Sequence, residues 1–249
     1  MDTTTYVALS AQVALQKQLE TVANNVANAN TAGFKADRPF FQSYLAPLKG
    51  PGGGVSFVQD AATYIDRASG PIEITGNPLD IALDGDGYLA VSGPQGTEYT
   101  RDGHMRVGAD GTLTDSEGRS ILGSDGSPIQ MPDGFQGVEI RNNGNIKALV
   151  NGRQQDIGQI GVYRAANANA VRKGGDGLLT APDGEMQPAA PGDGGARVVQ
   201  GSIEGSTVQP MKEIANMTEL SRAYERLQTM LSNESDREHK MIDALGHPP

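Results

Sequence analysis

The chain has 249 residues, enough for one large domain or two modest ones, and a net charge of −10 that argues against charge-driven binding to nucleic acid or to an acidic membrane surface. No apolar run reaches the ~20 residues that span a bilayer, and the absence of cysteine excludes disulfides, thiol catalysis and thiolate metal sites. Tryptophan is also absent, which leaves no large aromatic core or base-stacking platform, whereas 33 glycines suit an all-β body with many tight turns.

The first predicted element is an amphipathic helix from about Thr4 to Asn30. Ala8, Ala11, Leu15, Leu19, Val22 and Val26 fall three or four apart and form one stripe. Asp2 or one of Thr3 to Thr5 can cap its start. Gly33 supplies the left-handed residue past its end, Phe34 an apolar anchor, and Pro39 prevents continuation. Lys17 and Glu20 interrupt any apolar leader-like stretch and no basic segment precedes it, so no cleaved secretion signal is expected. Asn24 and Asn28 share a face of this helix, with Asn25 rotated about 100° from Asn24. Asparagine is a mediocre helix former; the cluster reads either as amides pairing with backbone at a crowded contact or as a frayed helix end.

Residues 34–70 read as a connector. Phe40, Phe41, Tyr44 and Leu45 can pack, Pro47 to Gly54 is a glycine- and proline-rich loop, and Val55 to Asp66 has partial alternation that fits an extended segment. The body, residues 71–205, alternates turn pairs such as Asp86-Gly87, Asp102-Gly103, Asn143-Gly144 and Asn151-Gly152 with short strand-like runs. These runs are Leu79–Leu83, Tyr88–Ser92, Thr97–Arg101, Met105–Val107, Val138–Arg141, Ile146–Val150, Ile157–Tyr163 and Arg197–Gln200. Asp-Gly and Asn-Gly close two-residue hairpins, so this region is all-β.

The last element, within residues 206–249, is a helix starting at Pro210, whose fixed φ suits the first helical position. Met217, Leu220, Tyr224, Leu227, Leu231, Met241 and Leu245 follow a heptad rhythm. Glu234 and Glu238 interrupt it. A helix of this length, about 50 Å, needs a partner along its seam. The expected fold is therefore mixed α and β: long N- and C-terminal helices forming a coiled-coil-like core domain, residues 1–33 with 206–249, around a central body of antiparallel hairpins. Helices without packed partners are marginal, so both ends are expected to order on assembly.

These motifs carry a resemblance. Ala23-Asn24-Asn25-Val26-Ala27-Asn28, followed by Thr31-Ala32-Gly33-Phe34-Lys35, resembles the N-terminal signature of the bacterial flagellar rod and hook proteins. Gly201-Ser202-Ile203-Glu204-Gly205 with Gln209-Pro210 and Glu219 to Glu225 is similar to that family's C-terminal motif; Gln209 stands where an asparagine is usual. Thr75-Gly76-Asn77-Pro78-Leu79-Asp80 and Tyr99-Thr100-Arg101-Asp102-Gly103 resemble its β-domain hallmark. The resemblance implies a structural subunit of the basal-body rod, on its proximal rather than its distal side, that assembles through its terminal helices into a tube transmitting torque and passing export substrates. It implies as partners copies of the same chain, other rod proteins and the flagellar type III export apparatus, with a periplasmic location in the basal body. The assembly residues it implies are Leu15, Leu19, Val22, Asn24, Asn25, Val26, Asn28, Gly33 and Phe34, with Met217, Leu220, Tyr224, Leu227, Leu231, Met241 and Leu245. Distal-rod, adhesin and wall-hydrolase readings stand as alternatives.

No catalytic, cofactor or metal site is expected. Asp84-Gly85-Asp86-Gly87-Tyr88 lacks the ligands and closing glutamate of a calcium loop, and His104, His239 and His247 lack metal-ligand spacing. Nucleotide and hydrolase fingerprints are missing. Most carboxylates fall in Asp-Gly turns that already explain them. The sequons at Asn216 and Asn233 lie inside the last helix, where a glycan would block packing.

Overall fold

The computed structural model describes residues 3–46, 55–94, 96–167, 170–174, 177–182, 184–189 and 196–246. The loop expected at Pro47–Gly54 lies outside the described residues, as does part of the one expected at Pro182–Gly195. The chain divides into two compact units. One comprises Met1–Ala27, Asp37–Asp66 and Val208–Pro249; the other comprises Asn28–Ala36 and Arg67–Thr207.

The first unit holds two helices and one hairpin. Helix α1 (Thr3–Ala27) carries only Lys17 and Glu20 as charges, and Ala8, Ala14 and Val22 on its inner face are buried. Strands β1 (Asp37–Ala46) and β2 (Val55–Ile65) pair antiparallel from Asp37↔Ile65 to Ala46↔Val55, with a bulge between Phe40 and Phe41. Helix α2 (Pro210–Gly246) begins at its proline, and the amides of Lys212 and Glu213 both donate to the Gln209 carbonyl. The helices run antiparallel: Gln12 donates to the Tyr224 hydroxyl at 3.0 Å, while residues near Val22 and Asn25 lie beside Glu213 to Leu220. At 1.5 Å per residue, α2 outreaches α1 by about 18 Å.

The second unit is β throughout. Its strands are β3 (Ile72–Ile74), β4 (Ile81–Asp84), β5 (Tyr88–Gly93), β6 (Gly96–Thr100), β7 (Arg106–Val107), β8 (Leu113–Thr114), β9 (Gly137–Ile140), β10 (Asn145–Val150) and β11 (Arg153–Gln159). After these come β12 (Val162–Ala165), β13 (Arg172–Lys173), β14 (Leu179–Thr180), β15 (Met186–Pro188), β16 (Arg197–Gln200) and β17 (Ser202–Glu204). Local hairpins join β5 to β6, β7 to β8, β9 to β10 and β10 to β11, all antiparallel. Long-range pairs then close the body: β12 joins β5, β16 joins β4, and β17 joins β3. Ile81, Leu83, Leu89, Val91, Leu113, Ile121, Ile146, Ile160, Leu178 and Val198 form one core. The run expected as a single strand over Ile157–Tyr163 is two. Between them the Ile160 amide donates to the Gly144 carbonyl and the Gly161 amide to Leu122, so the chain changes sheet partner there.

The coiled-coil-like core expected from the terminal helices is not what forms. The described chain is mostly strand, with α1 and α2 its only long helices, and α1 divides its contacts among α2, β1 and β2. Knobs-into-holes packing needs buried side chains at every seam position. Here Met217, Leu220, Tyr224, Leu227 and Leu231 are half-buried and Met241 is exposed. Alanines on the inner face of α1 are too small to act as knobs, the Gln12–Tyr224 hydrogen bond takes a seam position, and a hairpin occupies one side. Glu234 pairs with Arg237 at 2.9 Å on α2 itself.

Gly103 sits where a Cβ would collide with the Ile81 carbonyl oxygen, on the loop whose own carbonyl accepts the Ile81 amide. Gly103→Ala is expected to destabilise the protein by about 2–3 kcal/mol through this forced backbone shift. Urea unfolding of the full chain measures it.

Candidate functional site: a helix-pair surface and a buried charge cluster

In the first unit, the side chain of Asn25 acts as a piece of β-ladder. Its Nδ2 donates to the Asp37 carbonyl and its Oδ1 accepts the Asp37 amide, both at 2.9 Å, with the residue only 2% exposed. A single amide thereby meets both hydrogen-bonding needs of the first residue of β1, fixing where the hairpin leaves α1. The neighbouring asparagines differ: Asn24 is exposed and Asn28 half-buried. At Asn25 the side-chain amide pairs with backbone, and the Asn28 Oδ1 accepts from Thr31 Oγ1 at 3.2 Å.

Beside this clamp, Arg38 on β1 reaches Glu213 in the first turn of α2 at 3.3 Å and Asp66 at 3.6 Å. Glu213 is buried, and its position near the start of α2 also suits the helix dipole. A groove of about 520 Å³ runs along this place, lined among others by Val22, Asn25, Arg38, Glu213, Leu220 and Arg226. The other residues implicated in assembly fall as follows. Leu15, Leu19 and Val26 are half-buried on α1 and Val22 is buried, while the side chain of Leu245 lies outside the described residues. Apolar side chains that the sequence stripe did not include remain on the outside: Leu9 and Val13 on α1, Phe40 and Tyr64 on the hairpin, and Met211, Ile214 and Met230 on α2. Leu9 and Val13 are four apart and form a second apolar patch facing away from the stripe.

In the second unit the three sequence motifs meet at one carboxylate. Glu204 is fully buried; its Oε1 accepts from Lys35 Nζ at 2.6 Å and from the Gly70 amide at 2.7 Å, and its Oε2 accepts from Arg101 at 2.8 Å. Lys35 also donates to the Ala68 carbonyl, and Arg101 to the carbonyls of Leu83 and Gly85. The Arg101 guanidinium lies 5.2 Å from the Tyr88 ring centre, and burial pushes the Tyr88 phenol above its ordinary range, so it stays neutral. The backbone closes the same place: the Gly33 amide donates to the Glu204 carbonyl and the Thr207 amide to that of Phe34. Gly33 has φ +67, and a Cβ on it would strike the Arg101 backbone, so glycine is required twice over. Phe34 is buried with Lys173 Nζ 3.4 Å above its ring.

A smaller knot explains the Thr75–Asp80 motif. Buried Asp80 accepts from Thr75 Oγ1 at 2.7 Å and from Asn77 Nδ2 at 2.8 Å, which holds the turn into β4. Sequence reasoning placed Lys35, Arg101 and Glu204 inside motifs without giving them a role. Their signal was a charged residue in each motif, two cations and one carboxylate, whose pairing spans the three. Among the described residues, no group of three or more acidic or histidine side chains could hold a metal ion.

Comparison with known proteins covers the whole chain. Residues 6–35 match the family described as "Flagella basal body rod protein", residues 82–148 "Flagellar hook protein FlgE/F/G D1 domain", and residues 199–244 "Flagellar basal body rod FlgEFG protein C-terminal". The chain is 36% identical to the flagellar basal-body rod protein FlgF of Mesorhizobium japonicum and 34% to that of Caulobacter vibrioides, with 99% of each chain covered. It is 28% identical to the flagellar basal-body rod protein FlgG of Bacillus subtilis, over 96% of this chain and 97% of that one.

Two substitutions check these assignments. Glu204→Ala strands two buried cations and is expected to cost about 3–5 kcal/mol, measured by urea unfolding. Asn25→Ala removes the hydrogen bonds to the Asp37 amide and carbonyl and is expected to cost about 2–4 kcal/mol, measured by thermal melts.

Proposed function

The chain belongs to the flagellar basal-body rod protein family, and from that premise we propose that its helix pair is the surface by which it joins its neighbours. It is a structural subunit of the rod and not an enzyme. The observation that carries the assembly role is the set of apolar side chains left uncovered on both terminal helices: Leu9, Val13, Met211, Ile214, Met230 and Met241. A stable single chain gains nothing by exposing them, whereas a subunit packed among others removes their remaining apolar surface from water at about 25 cal/mol per Å².

The finer reading is of a subunit on the proximal side of the rod, contacting copies of itself and other rod proteins. The higher identity to FlgF than to FlgG relatives supports that choice over the distal one. Delivery by the flagellar type III export apparatus, residence in the periplasmic span, transmission of torque and passage of later export substrates complete the proposal. Leu15, Leu19, Val22, Leu220, Tyr224, Leu227 and Leu231 are proposed to set the shape of the helix pair from within, and the exposed residues to meet the neighbours.

Removing the gene product is expected to abolish swimming and to stop basal bodies at a shortened rod in electron micrographs. Leu9→Glu with Val13→Glu should leave the melting of the isolated chain nearly unchanged yet fail to restore motility. Full swimming by that double variant would overturn the assignment of this face.

A further inference from the structure

The chain contains two Asn-Gly pairs, Asn143-Gly144 and Asn151-Gly152, and the structure treats them differently. Asparagine before glycine is the sequence in which a backbone amide nitrogen most easily attacks the preceding side-chain amide, because glycine offers no Cβ to hinder the approach. Both reacting groups must be free to move together.

At Asn143-Gly144 they are held. The Gly144 amide donates to the Arg141 carbonyl at 2.7 Å, and the Asn143 Oδ1 accepts the Asn145 amide at 3.1 Å. The carbonyl of Asn143 is also engaged, accepting from Gln159 Nε2 at 2.7 Å. At Asn151-Gly152 none of these restraints exists among the described residues. The pair forms the two-residue turn between β10 and β11, flanked by the Val150↔Arg153 partners, and both residues are exposed. Asn151 has φ 51 and Gly152 φ +74, the left-handed pair of a type I′ turn. A Cβ built on Gly152 meets nothing within 4 Å. Asn151 is also the one non-glycine residue with positive φ among the described residues, as the type I′ turn requires.

We propose that Asn151 is a self-modification site at which the chain converts its own side-chain amide into an acid. The Gly152 nitrogen, losing its proton to solvent, forms a bond to Asn151 Cγ, and the Cγ–Nδ2 bond breaks with release of ammonia. The resulting five-membered imide is opened by water at either carbonyl, giving aspartate or isoaspartate. No electrons are transferred, and the reactants are the chain and one water. Each event adds one negative charge at the β10–β11 turn, and the isoaspartate product adds a methylene to the main chain of a turn that has room for two residues. Product accumulated at this turn is a measure of the age of the chain.

The test incubates the full-length folded chain for days at mildly alkaline pH, then quantifies isoaspartate and aspartate at each pair by peptide mass spectrometry. A parallel sample is held in concentrated urea. The folded chain should react roughly tenfold faster at Asn151 than at Asn143, the ratio that a barrier difference of ~1.4 kcal/mol gives; in urea, where the restraints at Asn143 are gone, the two rates should converge. Asn151→Gln should remove the product at that turn and leave the slow reaction at Asn143 as it was. Equal rates in the folded chain, faster reaction at Asn143, or no product at Asn151 would each overturn the proposal.

Discussion

Glu204 is the group on which the β unit depends. One carboxylate with no exposure holds a lysine from the segment after the first helix, an arginine from the end of β6 and the amide of Gly70. The cluster carries two positive charges against one negative. The excess is spread over backbone carbonyls of Ala68, Leu83 and Gly85. Burying ions is costly, and an apolar replacement of the same volume can be as stable. What an apolar cluster would lack is selectivity: both carboxylate oxygens of Glu204 and the terminal nitrogens of Lys35 and Arg101 find partners only when the three segments meet in this arrangement. That is the physical sense of finding a charge in each of three motifs far apart in sequence.

Much of the architecture was legible because periodicity survives folding. The stripe Ala8 to Val26 lies inward or half-buried on α1, Pro210 begins α2, and strands such as Arg197–Gln200 stand where alternation and turn residues put them. The failure was in how the helices meet. A heptad rhythm gives the face of a helix but not what it faces: the hydrogen-bonding side chain of Gln12 meets Tyr224, and the seam residues of α2 stay half-buried. The hairpin between Asp37 and Ile65 was also muted, because Pro39 and the bulge at Phe40–Phe41 blur its two-residue period.

The candidate site was legible as motifs and opaque as chemistry. Three asparagines in five positions look alike on paper; only the arrival of Asp37 beside Asn25 separates the clamp from its neighbours. Lys35, Arg101 and Glu204 could not be joined without the fold, since their pairing is set by strands β4, β16, β3 and β17 and not by local spacing. Leu9 and Val13 were overlooked for another reason. They lie opposite a stronger stripe, and a single apolar face is the simplest interpretation of a helix that in fact has two.

The closure of β3 on β17 and of β4 on β16 has a temporal side. Glu73 waits for Ile203, and Leu83 for Val198, so the sheet edges formed early in the polypeptide stay bare until nearly its whole length is present. Such distant pairings are slow to find. A polypeptide that has only partly emerged is thus kept from locking into its finished shape.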